Sequence, residues 1–192
     1  MLSFDITNVF SRSIIPFRFV FLMWLFFSVE YIYGYQFHHF GILPRNYYGL
    51  LGILTAPILH INFTHIISNT IPLLLLGGGL FYFYYKKAKF VFYASYIIPN
   101  VLVWIFARPL MHIGASGIIY ALATYLVMVG LLRRDIKSLL IAIMVVILYS
   151  SLFFGLVKQL DSVSYELHFA GVIVGFSLAI YHNFKTDLST DV

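Results

Sequence analysis

Residues 57–84 read PILHINFTHIISNTIPLLLLGGGLFYFY, twenty-eight positions without a single Asp, Glu, Lys or Arg. A helix needs about 20 such residues to cross the roughly 30 Å hydrocarbon core of a bilayer, so this stretch is long enough to span one. Its first half nevertheless holds His60, His65 and Asn69. Two other apolar stretches carry the same conflict, at Gly114-Ala115-Ser116-Gly117 and at His168. Each polar group placed in hydrocarbon costs on the order of several kcal/mol unless it is paired or hydrated, so such clusters mark functional sites by default. Together they supply a nucleophile type, a base type and amide or imidazole donors, which are the parts a hydrolase needs.

Working outward, five further apolar stretches join the first. The six spans are placed at Phe17–Tyr35, Pro57–Tyr84, Phe90–Phe106, Gly114–Leu132, Ser138–Val157 and Tyr165–Phe184. With 61% hydrophobic and 10% charged residues over 192 positions, the chain is no ordinary soluble domain. The fold class is therefore all-α, a polytopic membrane protein. Residues 1–16 and 185–192 are expected as short cytoplasmic ends of a single membrane core, residues 17–184. The first span lacks a small-residue cleavage site and reads as an uncleaved anchor. There is no cysteine, which excludes disulfides and thiolate chemistry.

The net charge of +5 is a topology signal rather than a nucleic-acid footprint. Arg12, Arg18, Lys86, Lys87, Lys89, Arg133, Arg134, Lys137 and Lys185 fall at one side of the predicted bundle, and only Arg45, Arg108 and Lys158 at the other. Basic residues collect on the cytoplasmic side, so both termini are expected there, in a prokaryotic plasma membrane. The connection from Gly34 to Ala56 is too interrupted to span and too apolar for a free loop, and is expected in the outer interface. His38, His39, His112 and His182 lie near span ends or in loops and are read as interfacial or solvated.

This orientation brings the polar clusters to one depth. Spans two, four and six all run inward from the outer surface, which puts His60, His65 and Asn69, then Ser116, then His168 within the outer part of the bundle. His65 and Asn69, four apart, share a helix face. On span six His168, Gly171, Gly175 and Ala179 form a stripe of small residues below the histidine, and Gly114, Gly117 and Ala121 do the same on span four. Small stripes let membrane helices approach closely, as a hydroxyl-to-imidazole bond of about 2.6–3.2 Å requires.

Taken jointly, His60-x4-His65-x3-Asn69 followed by Gly77-Gly78, then Gly114-Ala115-Ser116-Gly117, then His168-x2-Gly171-x3-Gly175 resemble the rhomboid intramembrane serine proteases. The resemblance covers the six-span core, nearly the whole chain. It implies a compact rhomboid-like bundle in which Ser116 is the nucleophile and His168 the general base. His65 and Asn69 would stabilise the oxyanion with the Ser116 backbone amide, and Tyr120 would pack on the catalytic imidazole in place of a triad carboxylate. His60, Gly114 and Gly117 would support the site, and Gly171 and Gly175 would pack the helices. Single-pass transmembrane proteins are the implied substrates, with lipid around the bundle, no nucleic acid, and neither metal nor cofactor. The outer end of span five, with Phe153 and Phe154, is the implied substrate gate, and the loop around Asp161 its cap. Two family features are missing: a Trp-Arg pair in the first outer connection, and a Glu after the Gly-Gly of span two, where Phe81 stands.

Other chemistries fit less well. A zinc protease needs His-Glu-x-x-His, a paired-aspartate protease needs intramembrane carboxylates, and a Ser–Lys dyad needs a buried Lys. The only candidate carboxylates are interfacial Glu30 and Glu166, and every Lys is at a span end. The non-enzymatic alternatives are a catalytically silent rhomboid-like protein that binds client helices, or a small transporter or haem carrier using the histidines. Silent relatives usually lose the Ser or the His, and both are present.

Overall fold

The computed structural model describes residues 14–133, 135–150 and 164–187. Six long helices follow in the order the apolar stretches predict: α1 Ile14–Tyr33, α2 Phe63–Phe83, α3 Tyr85–Phe106, α4 Ser116–Arg133, α5 Ile136–Tyr149 and α6 Tyr165–Asp187. A seventh, single-turn helix lies at Gly52–Thr55. Helices α1 to α4 are each long and apolar enough to cross a membrane. The protein is an all-α, polytopic membrane bundle.

The middle of that bundle is α4. Eleven of its eighteen residues are buried, and α2, α3, α5 and α6 all pack on it. A helix that is apolar all round belongs inside its neighbours rather than at their edge. Its small residues let those neighbours in. A Cβ added to Gly171 of α6 would stand 2.5 Å from the Gly117 carbonyl oxygen and 2.8 Å from Tyr120 Cβ of α4. One added to Gly175 would collide with the Ala121 carbonyl. The α4–α6 contact is therefore made by backbone on backbone, as the two small-residue stripes predict.

Helix starts follow local chemistry and correct three expected boundaries, the first being span three, expected from Phe90 but helical already from Tyr85, directly after α2. Span two was expected to begin at Pro57, but residues Ala56–Ile58 form a 3-10 turn and α2 starts only at Phe63. The reason is Asn62, whose extended backbone and side chain cap the helix by accepting from His65 N at 2.8 Å. His60 thus precedes the helix instead of lying in it. Span four was expected to begin at Gly114, but that residue has φ +106° and cannot be helical, so α4 starts at Ser116. At the opposite end of the bundle Asp135 caps α5 by accepting from Ser138 N at 2.8 Å, and that bond holds its carboxyl below the usual carboxylate range.

The Gly34–Ala56 connection folds onto the end of α3. The Arg45 amide donates to the Trp104 carbonyl (2.9 Å), its guanidinium to the Ala107 carbonyl (2.8 Å), and the Trp104 indole to the Asn46 carbonyl (3.0 Å). A Trp and an Arg distant in sequence thus pin the loop, although the adjacent pair is absent. Tyr47 and Tyr48 project from it, 82% and 85% exposed, as aromatics do at a membrane interface. Phe81, where the resemblance led to a Glu, is buried and packs edge-on to Phe92, with centroids 5.9 Å apart.

Two of the histidines read as interfacial or solvated are buried. His182 stacks on Tyr125 with centroids 5.9 Å apart, and its Nδ1 is hydrogen-bonded to the Tyr125 hydroxyl. His112 is only 2% exposed and pairs by backbone with Ile42 in both directions at 2.9 Å. His39 is exposed, and His38 lies 3.4 Å from Glu30.

Candidate active site

Ser116 is the first residue of α4 and is half-buried. The first bonds within that helix are those from Ile118 and Ile119 to the Ala115 carbonyl, so the N–H groups of Ser116 and Gly117 stand ahead of the ladder. Amides at that position point toward whatever lies beyond the helix end, and they favour negative charge. A hydroxyl there sits beside ready-made anion donors.

The segment before it is held from below and above. Gly114 donates its N–H to the Ala56 carbonyl at 2.8 Å. The His65 ring lies directly over Gly114, since an added Cβ would stand 2.6 Å from His65 Nε2. Glycine is required here twice, by the positive φ and by the imidazole. The His60 ring meets that of His65 at 4.8 Å and 60°, while His60 Nδ1 donates to the Ile58 carbonyl at 3.1 Å, which leaves Nε2 as the acceptor nitrogen of the neutral ring. That Nε2 is buried with no hydrogen-bond partner among the described residues.

Tyr120, one turn after Ser116, is stacked on His168: centroids 4.2 Å apart, planes 11° from parallel. Gly117 lies against Leu167, with an added Cβ 3.2 Å from Leu167 Cδ2. The first turns of α4 and α6 therefore run side by side, which sets the His168 imidazole at the level of Ser116 and Tyr120. Asn69 is buried on α2 and donates one amide hydrogen to the His65 carbonyl at 2.8 Å. An amide nitrogen carries two, so the second is left for a further acceptor.

Residues from α2, α4 and α6 thus gather at one end of the bundle: His65 with Gly114 and His60, Gly117 with Leu167, and Tyr120 with His168. Phe153, Phe154 and Asp161 lie outside the described residues. Among the described residues no group of three or more His, Cys, Asp or Glu is placed to hold a metal ion.

The sequence reading missed Arg108, His112 and Ser164 as neighbours of the site. Arg108 pairs with Glu166, and His112 bonds Ser164. The nearest signal was position: Glu166 is two before His168, and His112 four before Ser116.

Residues 47–183 match the family described as Rhomboid domain. The chain belongs to the rhomboid family. An uncharacterized protein of Mycobacterium tuberculosis is 31% identical to this rhomboid over 166 residues, covering 82% of this chain and 69% of that protein. An uncharacterized protein of Mycobacterium bovis matches to the same extent. One of Mycobacterium leprae is 32% identical over 135 residues, or 66% of this chain and 53% of that protein. Family and apolar helices together make this rhomboid an integral membrane protein.

Proposed function

We propose that this rhomboid is an intramembrane serine endopeptidase that cuts single-pass membrane proteins near the outer ends of their transmembrane helices. The observation that carries the reading is the Tyr120–His168 stack one helical turn from Ser116. The stack fixes the plane of the imidazole proposed as general base, one turn along α4 from the proposed nucleophile at the helix N-terminus.

In this mechanism His168 takes the Ser116 proton as the hydroxyl oxygen attacks the substrate carbonyl. The resulting oxyanion is met by the Ser116 backbone N–H, the second amide hydrogen of Asn69, and His65. His168 then passes the proton to the leaving amine and activates the water that releases the acyl group. The orientation proposed with it puts both termini in the cytoplasm of a prokaryotic cell and the site near the outer face. Phe153 and Phe154 are retained as the proposed gate.

The test is Ser116→Ala in the full chain. Cleavage of a transmembrane substrate and labelling by a fluorophosphonate should both disappear while the protein still inserts and unfolds cooperatively. Undiminished cleavage would overturn the proposal. A parent protein that neither cleaves nor labels would favour the silent, helix-binding alternative.

A further inference from the structure

Ser116 and His168 each sit in the first turn of a helix, where fraying is easiest, and Ser116 follows a non-helical segment. A dyad needs its two side chains held to within about 1 Å, since a misplacement of that size can cost roughly 10²-fold in rate. The Gly117, Gly171 and Gly175 contacts fix α4 against α6 at and below the pair. They leave the segments that enter the two helices to be fixed by something else.

Two side-chain links join those segments. Arg108 Nε and Nη2 donate to Glu166 Oε1 and Oε2, the second bond at 3.2 Å, in a half-buried bidentate pair, and the guanidinium lies 4.5 Å over the Tyr165 ring. His112 Nε2 lies 3.0 Å from the Arg108 carbonyl, which can only accept, so Nε2 carries the proton. Nδ1 of the neutral ring is then an acceptor and takes the hydroxyl hydrogen of Ser164 at 2.7 Å. Ser164 Oγ in turn accepts from Leu167 N at 3.3 Å, capping α6 immediately before His168. An unbroken hydrogen-bonded chain thus runs from the backbone of Arg108 through His112 and Ser164 to Leu167.

We infer that Arg108, His112, Ser164 and Glu166 form a positioning clamp that sets the register of the Ser116 loop against the start of α6, and so the alignment of Ser116 with His168. The inference rests on the protease reading of that site. The four are placed to act through the two backbones, as positioning residues rather than as partners of the reacting atoms. A bidentate guanidinium–carboxylate pair suits the task because it fixes orientation as well as distance.

The experiment uses the full-length protein in detergent, with Arg108→Gln, Glu166→Gln, the double variant and the exchanged pair Arg108→Glu/Glu166→Arg. For each, kcat and KM on a transmembrane substrate, the rate of fluorophosphonate labelling at Ser116 and the thermal midpoint are measured. Each single change should lower kcat and labelling about 10-fold or more, with KM within about 2-fold. The double variant should be no worse than either single, and the exchanged pair should recover part of the loss. Unchanged kcat, losses that multiply in the double variant, or losses matching only the unfolded fraction would each overturn the clamp. Should the pair variants fail to fold, Ser164→Ala carries the same comparison with one hydroxyl removed. A parent protein that cannot be labelled at Ser116 would overturn the protease reading, and the clamp with it.

Discussion

The Tyr120 ring lies flat on the His168 imidazole, 4.2 Å between centroids and 11° from parallel. Two flat faces in contact leave the imidazole free to slide but not to tilt. Tyr120→Ala should therefore lower kcat about 10- to 100-fold with little change in KM, while Tyr120→Phe keeps most of the activity because the stack survives. Steady-state cleavage by the two variants checks this. Equal loss in both would place the effect in the hydroxyl instead.

Asn69 spends one amide hydrogen on the carbonyl four residues before it in its own helix, a bond that ties no second element. Its removal should cost about 1 kcal/mol of stability or less. The proposed oxyanion contact predicts a much larger kinetic effect, a kcat loss of roughly 10²–10³ in Asn69→Ala. Comparing the thermal midpoint with kcat separates the two.

Gly171→Ala places a methyl group 2.5 Å from the Gly117 carbonyl, which is backbone and cannot swing aside. The helices must part, at an expected cost of about 1–3 kcal/mol. Gly79→Ala is the control, because its added Cβ meets nothing closer than Phe83 Cδ2 at 4.0 Å and gains helix propensity. Thermal unfolding should drop for the first and hold or rise for the second.

Burial holds the His112 imidazole below its ordinary pKa of 6.5. Arg108 lowers it further, while the Arg108 carbonyl and Glu166 oppose the shift. The folded protein therefore resists protonation more than the unfolded chain does. The stability this contributes is fully present above about pH 6.5 and is lost as pH falls through the lower folded value. Between about pH 7.5 and pH 5 the parent's thermal midpoint should fall more than that of His112→Gln. Parallel curves would show that His112 does not titrate differently on folding.

The six helices, their order and the sharing of one end by His65, Ser116 and His168 were legible because each rests on local properties. A run of apolar residues, a helical spacing of small ones and a polar group out of place are all read within about twenty residues. Even the late starts of α2 and α4 have local causes, in the Asn62 cap and the positive φ of Gly114. Arg108 with Glu166, 58 positions apart, and His112 with Ser164, 52 apart, have no such signature. Nor does the burial of His182 against Tyr125. Sequence by itself determined a membrane bundle and the residue types available at one end of it, because the bilayer imposes length and polarity on every span. Tertiary structure alone decided which loop residues are locked together and which histidines are enclosed, because each such pair joins residues more than fifty positions apart, and no local run or spacing records which of them meet.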